Sequence, residues 1–180
     1  DSMEIVDELL IPALDRAGTE FEGGKIFLPQ LIMAAGVAQA AFEVIKNHMA
    51  KSGGKSVSKG KVVLATVKGD IHDIGKNIVK VLLENYGFEV IDLGRDVPPE
   101  TVLEAAVKHN VKLVGLSALM TTTLASMEET VKLLHDNKVP CKIVVGGAVL
   151  TPEYAEKIGA DFYAKDAKDT VDAARRVYSV

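Results

Sequence analysis

Asp70 and His72 stand two residues apart in the stretch Gly69-Asp70-Ile71-His72-Asp73-Ile74-Gly75-Lys76-Asn77. An imidazole can ligate a metal through one ring nitrogen while a carboxylate holds the other, fixing the tautomer and adding basicity. Gly75, three residues past His72, lets a large group approach the backbone. Two other stretches offer complementary chemistry. Ser117-Ala118-Leu119-Met120-Thr121-Thr122-Thr123 brings hydroxyls, and Gly146-Gly147-Ala148 brings bare backbone beside two glycines. Each has a plainer reading: an Asp before a helix caps it, Ser and Thr do the same, and a Gly pair makes a turn. Phe21, Leu28 and Leu31 are of types that more often fill a core than cover a ligand. The lone Cys141 opens an apolar run and reads as inert core.

What positions these residues is a regular alternation from Lys61 onward. Val62–Val67 is an apolar run of the kind that forms a strand buried on both faces. Ile74, Ile78, Val81 and Leu82 then mark one face of a helix from Gly75 to about Tyr86. Strands are expected at 88–93, 113–116, 141–145 and 161–164, with helices from Val102 to His109, 124–136, 152–158 and 170–178. Five strands alternating with five helices specify a flavodoxin-like, Rossmann-like α/β fold: a doubly wound parallel sheet of order 2-1-3-4-5. In that order the three loops converge above the carboxyl ends of the central strands, where such sheets bind ligands. The set suits a bulky ligand with a metal at one end and a polar or phosphate-bearing tail.

Residues 1–50 read as a small helical cap domain. Val6, Leu9, Leu10 and Ala13 recur at helical spacing, Pro12 should kink that helix, and Gly18 should stop it. A second helix is expected near Pro29, with Leu31, Ala35, Ala38, Phe42, Ile45 and Met49 as a packing seam. Residues 51–60, rich in Gly, Ser and Lys, read as a linker to a second domain at 61–180.

The 180 residues are 48% hydrophobic and 26% charged, with a net charge of -4 and 5% aromatics. With no basic stripe, nucleic acid is not the expected partner. No apolar run is read as approaching the roughly 18 residues of a membrane span, so no membrane partner is expected. A single cysteine allows no internal disulfide, and a reducing cytoplasm is the default compartment.

The segment from Lys61 onward resembles the cobalamin-binding module of methionine synthase and of the corrinoid proteins of methyltransferase systems. The family's Asp-x-His-x-x-Gly motif is present as Asp70, His72 and Gly75 within VKGDIHDIGKNIV. Its Ser-x-Leu motif is Ser117-Ala118-Leu119, and its Gly-Gly motif is Gly146-Gly147. Gly24-Lys25-Ile26-Phe27-Leu28-Pro29-Gln30 resembles the end of the family's helical cap. That cap normally has about four helices, so the two here read as truncated.

The resemblance implies a methyl carrier holding cobalamin, in methylcobalamin and cob(I)alamin states, with cobalt in the corrin. His72 would become cobalt's lower ligand in place of the dimethylbenzimidazole, and Asp70 would hydrogen-bond the imidazole. Asp73, Ile74 and Gly75 would border the corrin and its detached nucleotide tail. Ser117, Leu119, Gly146, Gly147 and Ala148 would line the tail's slot, and Thr121 would reach the corrin edge. Thr123 stands where methionine synthase extends its His–Asp pair with a Ser. Phe21, Leu28 and Leu31 would shield the upper, methyl-bearing face. Partners would be methyl-donor and methyl-acceptor methyltransferase subunits or domains and a reductive activase. A subunit of an adenosylcobalamin-dependent mutase and a cobalamin-binding sensor or regulator domain are the alternatives.

Overall fold

The computed structural model describes residues 5–51 and 58–180. The start Asp1-Ser2-Met3 and residues 52–57, which make up most of the expected linker, lie outside the described residues. Five parallel strands form the sheet: β1 (Lys61–Thr66), β2 (Glu89–Asp92), β3 (Leu113–Ser117), β4 (Lys142–Gly146) and β5 (Phe162–Ala164). Their order is β2-β1-β3-β4-β5, as expected. Alternate residues of β1 serve opposite cores. Val62 and Leu64 face one cluster, Val63 and Ala65 the other, and all four are buried.

The register fixes the working edge. Thr66 pairs with Ser117, Ser117 with Gly146, and Gly146 with Ala164, so one row of residues crosses four strands where their loops leave. Two helices, α3 (Ile74–Asn85) and α7 (Ala167–Tyr178), cover one face of the sheet. The opposite face carries α4 (Pro99–His109), α5 (Leu124–Asp136) and α6 (Pro152–Lys157). Starts follow local chemistry. Thr151 accepts the Tyr154 N–H at the head of α6, and Asp166 accepts the Lys168 and Asp169 N–H groups at the head of α7. That cap starts α7 three residues before the expected Thr170.

Before the sheet, a π-helical turn (Val6–Leu10) leads into α1 (Ile11–Glu22), and α2 (Leu28–Lys51) follows. Pro12 sits in the first turn of α1, where its missing N–H is harmless, so the backbone changes there from π to α winding. The expected stop at Gly18 is corrected: α1 runs through it and ends at Gly23. Gly18 has a packing role instead, because a Cβ there would lie 2.8 Å from Cε of Lys168 on α7.

Leu31, Ala35, Ala38, Phe42 and Ile45 are buried, as the seam predicts. The reading that no stretch reaches span length is also corrected. Leu28–Ile45 has a mean hydropathy of 1.5 over 18 residues and meets that test by length and composition. Its apolarity comes from serving two sides. The seam packs against α1 and α3, while Met33, Val37 and Val44 are exposed.

A polar clasp fastens α1 to α7 and to the end of α3. Asp15 accepts the buried Tyr86 hydroxyl at 3.1 Å and the Arg175 Nη1 at 3.1 Å on both oxygens. Burial and the Asp15 charge push the Tyr86 phenol well above its ordinary value, so it stays a donor. The Arg175–Asp15 pair is partly solvated and contributes little by itself, whereas the stranded phenol matters more. Asp15→Ala is therefore expected to lower α1 stability by about 1–2 kcal/mol. Amide exchange should speed up in α1 while β1 and β3 keep their protection. Unchanged α1 exchange would mean that the apolar seam alone holds the cap.

Candidate functional site

Asp70 closes the loop that leaves β1, and it is fully buried. Its Oδ1 accepts the His72 backbone N–H at 3.0 Å and lies 2.8 Å from the His72 Nδ1. Its Oδ2 accepts the Leu119 N–H at 2.7 Å, the Met120 N–H at 3.3 Å and the Thr123 hydroxyl at 3.0 Å. The carboxylate therefore ties the β1 and β3 loops together and does not merely cap its own helix. Asp73 occupies the helix cap position, with no side-chain bond to the helix.

Burial alone would raise the Asp70 pKa. The donors from His72, Leu119 and Thr123 outweigh it and hold the group well below the usual carboxylate range. An ionised Asp70 only accepts, so Nδ1 of His72 must be the donor. Neutral His72 then carries its lone pair on Nε2, the nitrogen left for a metal. The Thr123 hydroxyl also lies 2.8 Å from the Met120 carbonyl; its single proton serves one acceptor at a time. Thr66 Oγ1 and Ser117 Oγ, one row below, are paired at 3.0 Å.

These loops border a cavity of about 780 Å³ above the carboxyl edge, within the range of sites for small ligands and cofactors. His72, Asp73, Ile74, Gly75, Ser117 and Leu119 line one side of it, and Gly146, Gly147 and Ala148 the other. Ile71, Ile74 and Leu119 leave exposed apolar surface at its mouth. A Cβ on Gly75 would meet no atom within 4 Å. Gly75 therefore keeps space open that the protein itself does not fill. A small slot of about 40 Å³, lined by Lys76, Gly115, Ser117, Gly146 and Thr170, runs inward beside it.

Not every expected residue reaches the cavity. Thr121 is exposed and does not line it, and Thr123 acts through Asp70. Phe21, Leu28 and Leu31 gather with Gly75, Ile78 and Ala167 around a separate cavity of about 160 Å³. That cavity adjoins the His72 cavity, with Gly75, Asp166 and Ala167 bordering both. Arg95, Tyr163, Lys165 and Thr170 line the main cavity without having been singled out in the sequence. Arg95 carries the one usable signal: it follows Gly94 just past β2, the neighbour of β1. Cys141 stays out of the chemistry, because burial and the Asp161 charge push its thiol up to about 11.

A doubly wound sheet with an open cavity over its carboxyl edge, and a carboxylate-held histidine on the rim, defines an α/β protein built to hold a large metal-bearing cofactor. Residues 60–175 match the family described as the B12 binding domain, and residues 1–46 match a second family of the same description. The chain belongs to the B12 binding domain family, with the corrinoid proteins of methyltransferase systems, and its cofactor is cobalamin. Dimethylamine corrinoid protein 1 of Methanosarcina acetivorans is 42% identical over 179 residues, covering 98% of this chain and 84% of the relative. Among solved structures, the methanol:cobalamin methyltransferase complex MtaBC from Methanosarcina barkeri matches at 34% identity with a TM-score of 0.82. That match covers 99% of this chain and 68% of the other. A cobalamin-binding protein from Desulfitobacterium hafniense matches at 35% identity with a TM-score of 0.78, covering 97% and 89%.

Proposed function

We propose that this chain is a methyl carrier, taking a methyl group from a donor bound to one methyltransferase and yielding it to an acceptor thiol on another. Bound cobalamin supplies the carrier chemistry through its cobalt, which accepts and releases the methyl group. The single observation that carries the reading is the Asp70–His72 pair on the rim of the cavity. His72 would offer Nε2 to the cobalt, and the ionised Asp70 holds Nδ1–H and fixes the ring. Ile74 and Leu119 provide apolar surface for the corrin, and Gly75 leaves room for the nucleotide tail. Ser117, Gly146, Gly147 and Ala148 line the part of the cavity that would hold that tail. Residues 1–50 act as the cap and 61–180 as the cofactor-binding domain. A reductive activase serves the same face, and the carrier works in the cytoplasm. The relatives named for dimethylamine and trimethylamine make methylated amines the first donors to test.

The test is spectroscopic. The chain is mixed with hydroxocobalamin, desalted, reduced to cobalt(II) and examined by EPR with histidine labelled at its ring nitrogens. Label-dependent hyperfine coupling is expected in the natural sequence and absent in His72→Gly. Affinity for the corrin should also drop by about tenfold or more, the usual scale for losing a group that orients or ligates a metal. Coupling that survives in His72→Gly would assign the lower ligand elsewhere and end this reading.

A further inference from the structure

The last residue of β2 and the loop that follows it touch the His72 loop on both sides. At its near end, the Asp96 carboxylate accepts the Gly69 N–H at 2.7 Å, and the Asp96 N–H donates to the Asp70 carbonyl at 2.9 Å. Val97 N–H adds a bond to the Thr66 carbonyl at 3.0 Å, so this side is anchored to β1 itself. At the far end, Lys76 is buried immediately after Gly75 and its ammonium reaches the Asp92 Oδ1 at 2.6 Å. The same Oδ1 accepts the Gly94 N–H at 2.9 Å, and Lys80 lies 3.3 Å from Oδ2. Asp92 and Asp96 thus grip the chain just before and just after the segment that carries His72.

The backbone conformation is specific to this task. Asp96 has φ of 54°, a left-handed conformation that L-residues seldom adopt and that Asp tolerates better than most. Its side chain is exposed and adds nothing to a core. A strained, exposed residue whose amide and carboxylate both bind the ligand loop is placed for function more than for folding. A metal ligand must be held to within roughly 0.5 Å of its working position.

We propose that Asp96 is a positioning residue for His72: with Asp92 and Lys76 it clamps both ends of the loop and sets where the imidazole meets the cofactor. The proposal rests on His72 being the lower ligand. It is tested in the full chain loaded with hydroxocobalamin and reduced to cobalt(II), reading the ratio of histidine-bound to histidine-free cobalt by EPR with the same label. Asp96→Asn keeps an acceptor oxygen and tolerates the left-handed backbone, so its ratio should match the natural sequence. Asp96→Gly suits a φ of 54° even better but has no acceptor, and its ratio should fall about tenfold. Its apo melting temperature should stay near that of the natural chain. Lys76→Met releases the far grip and should move the ratio the same way, which decides the matter if Asp96→Gly folds poorly. Unchanged ratios in both variants would overturn the clamp. Absence of histidine coupling in the natural sequence would overturn the His72 assignment instead.

Discussion

Gly147→Ala is expected to destabilise the protein by about 2–6 kcal/mol, combining over-packing with backbone strain of roughly 1–3 kcal/mol each. A Cβ at Gly147 would lie 1.9 Å from the Ala118 carbonyl oxygen and 2.9 Å from its carbon. Those are backbone atoms at the end of β3, and no rotamer change can clear them. The φ of 136° adds strain for any L side chain. Relief requires the ends of β3 and β4 to separate, at the expense of the bond from the Ala118 N–H to the Gly146 carbonyl. Separation there would also distort the wall of the cofactor cavity. In thermal unfolding of the apoprotein the midpoint should drop by about 4–24 °C at this chain length. Gly75→Ala is the matched control: its Cβ has open space, so the apoprotein should be unharmed. A Gly147→Ala midpoint within about 3 °C of the natural chain would show that the strand ends slide apart freely.

Asp70→Asn looks conservative and is expected to cost about 3 kcal/mol, because an amide leaves buried donors unsatisfied. Both oxygens of Asp70 accept: two groups from His72 on one, and groups from Leu119, Met120 and Thr123 on the other. Asn has one acceptor and one donor end. Turned one way, its NH2 faces the Leu119 N–H. Turned the other, it faces the His72 N–H and can satisfy Nδ1 only by forcing the proton onto Nε2, which removes the metal-binding lone pair. The pH dependence distinguishes this from a simple packing loss. Asp70 is depressed in the folded state, so its contribution is fully present above the unfolded carboxylate value near 4 and is lost as pH falls below it. The stability gap between the natural chain and Asp70→Asn should therefore narrow between pH 6 and pH 3 in denaturant titrations. A gap that stays constant would mean that the charge of Asp70 contributes nothing.

The fold was legible because buried parallel strands and amphipathic helices leave different periods. The runs at Val62, Leu113 and Ile143 could be placed to within a residue or two, and strand order followed from crossover rules. The Asp70–His72 pairing was one of two readings the spacing allowed, and the resemblance to the cobalamin-binding module favoured it. Gly18 was misread because its reason lies 150 positions away, in the Lys168 side chain that crosses it. The loop after β2 was missed for a similar cause. Asp92 fell inside an expected strand and Asp96 was not singled out, because their partners appear only when the sheet brings β2 beside β1. The cap residues Phe21, Leu28 and Leu31 line one cavity with Gly75 and Ala167, a grouping across three elements that spacing within any one helix does not reveal. The apolar length of α2 was underestimated because Ala and Gly fill positions that Leu or Ile would have made obvious.

The level at which the strands end bears on when the cofactor can arrive. Thr66, Ser117, Gly146 and Ala164 form one row only after four strands have paired, and the loops that border the cavity start from that row. A growing chain that has not yet made β4 has the histidine but no opposite wall. Corrin capture is then an event of the finished sheet, and by mass action it favours that sheet over every less complete arrangement, by about 2.7 kcal/mol at a hundredfold excess over the dissociation constant. Cofactor supply would thereby bear on how long a newly made chain survives proteolysis, since the open states that proteases cut are the ones bound corrin depletes.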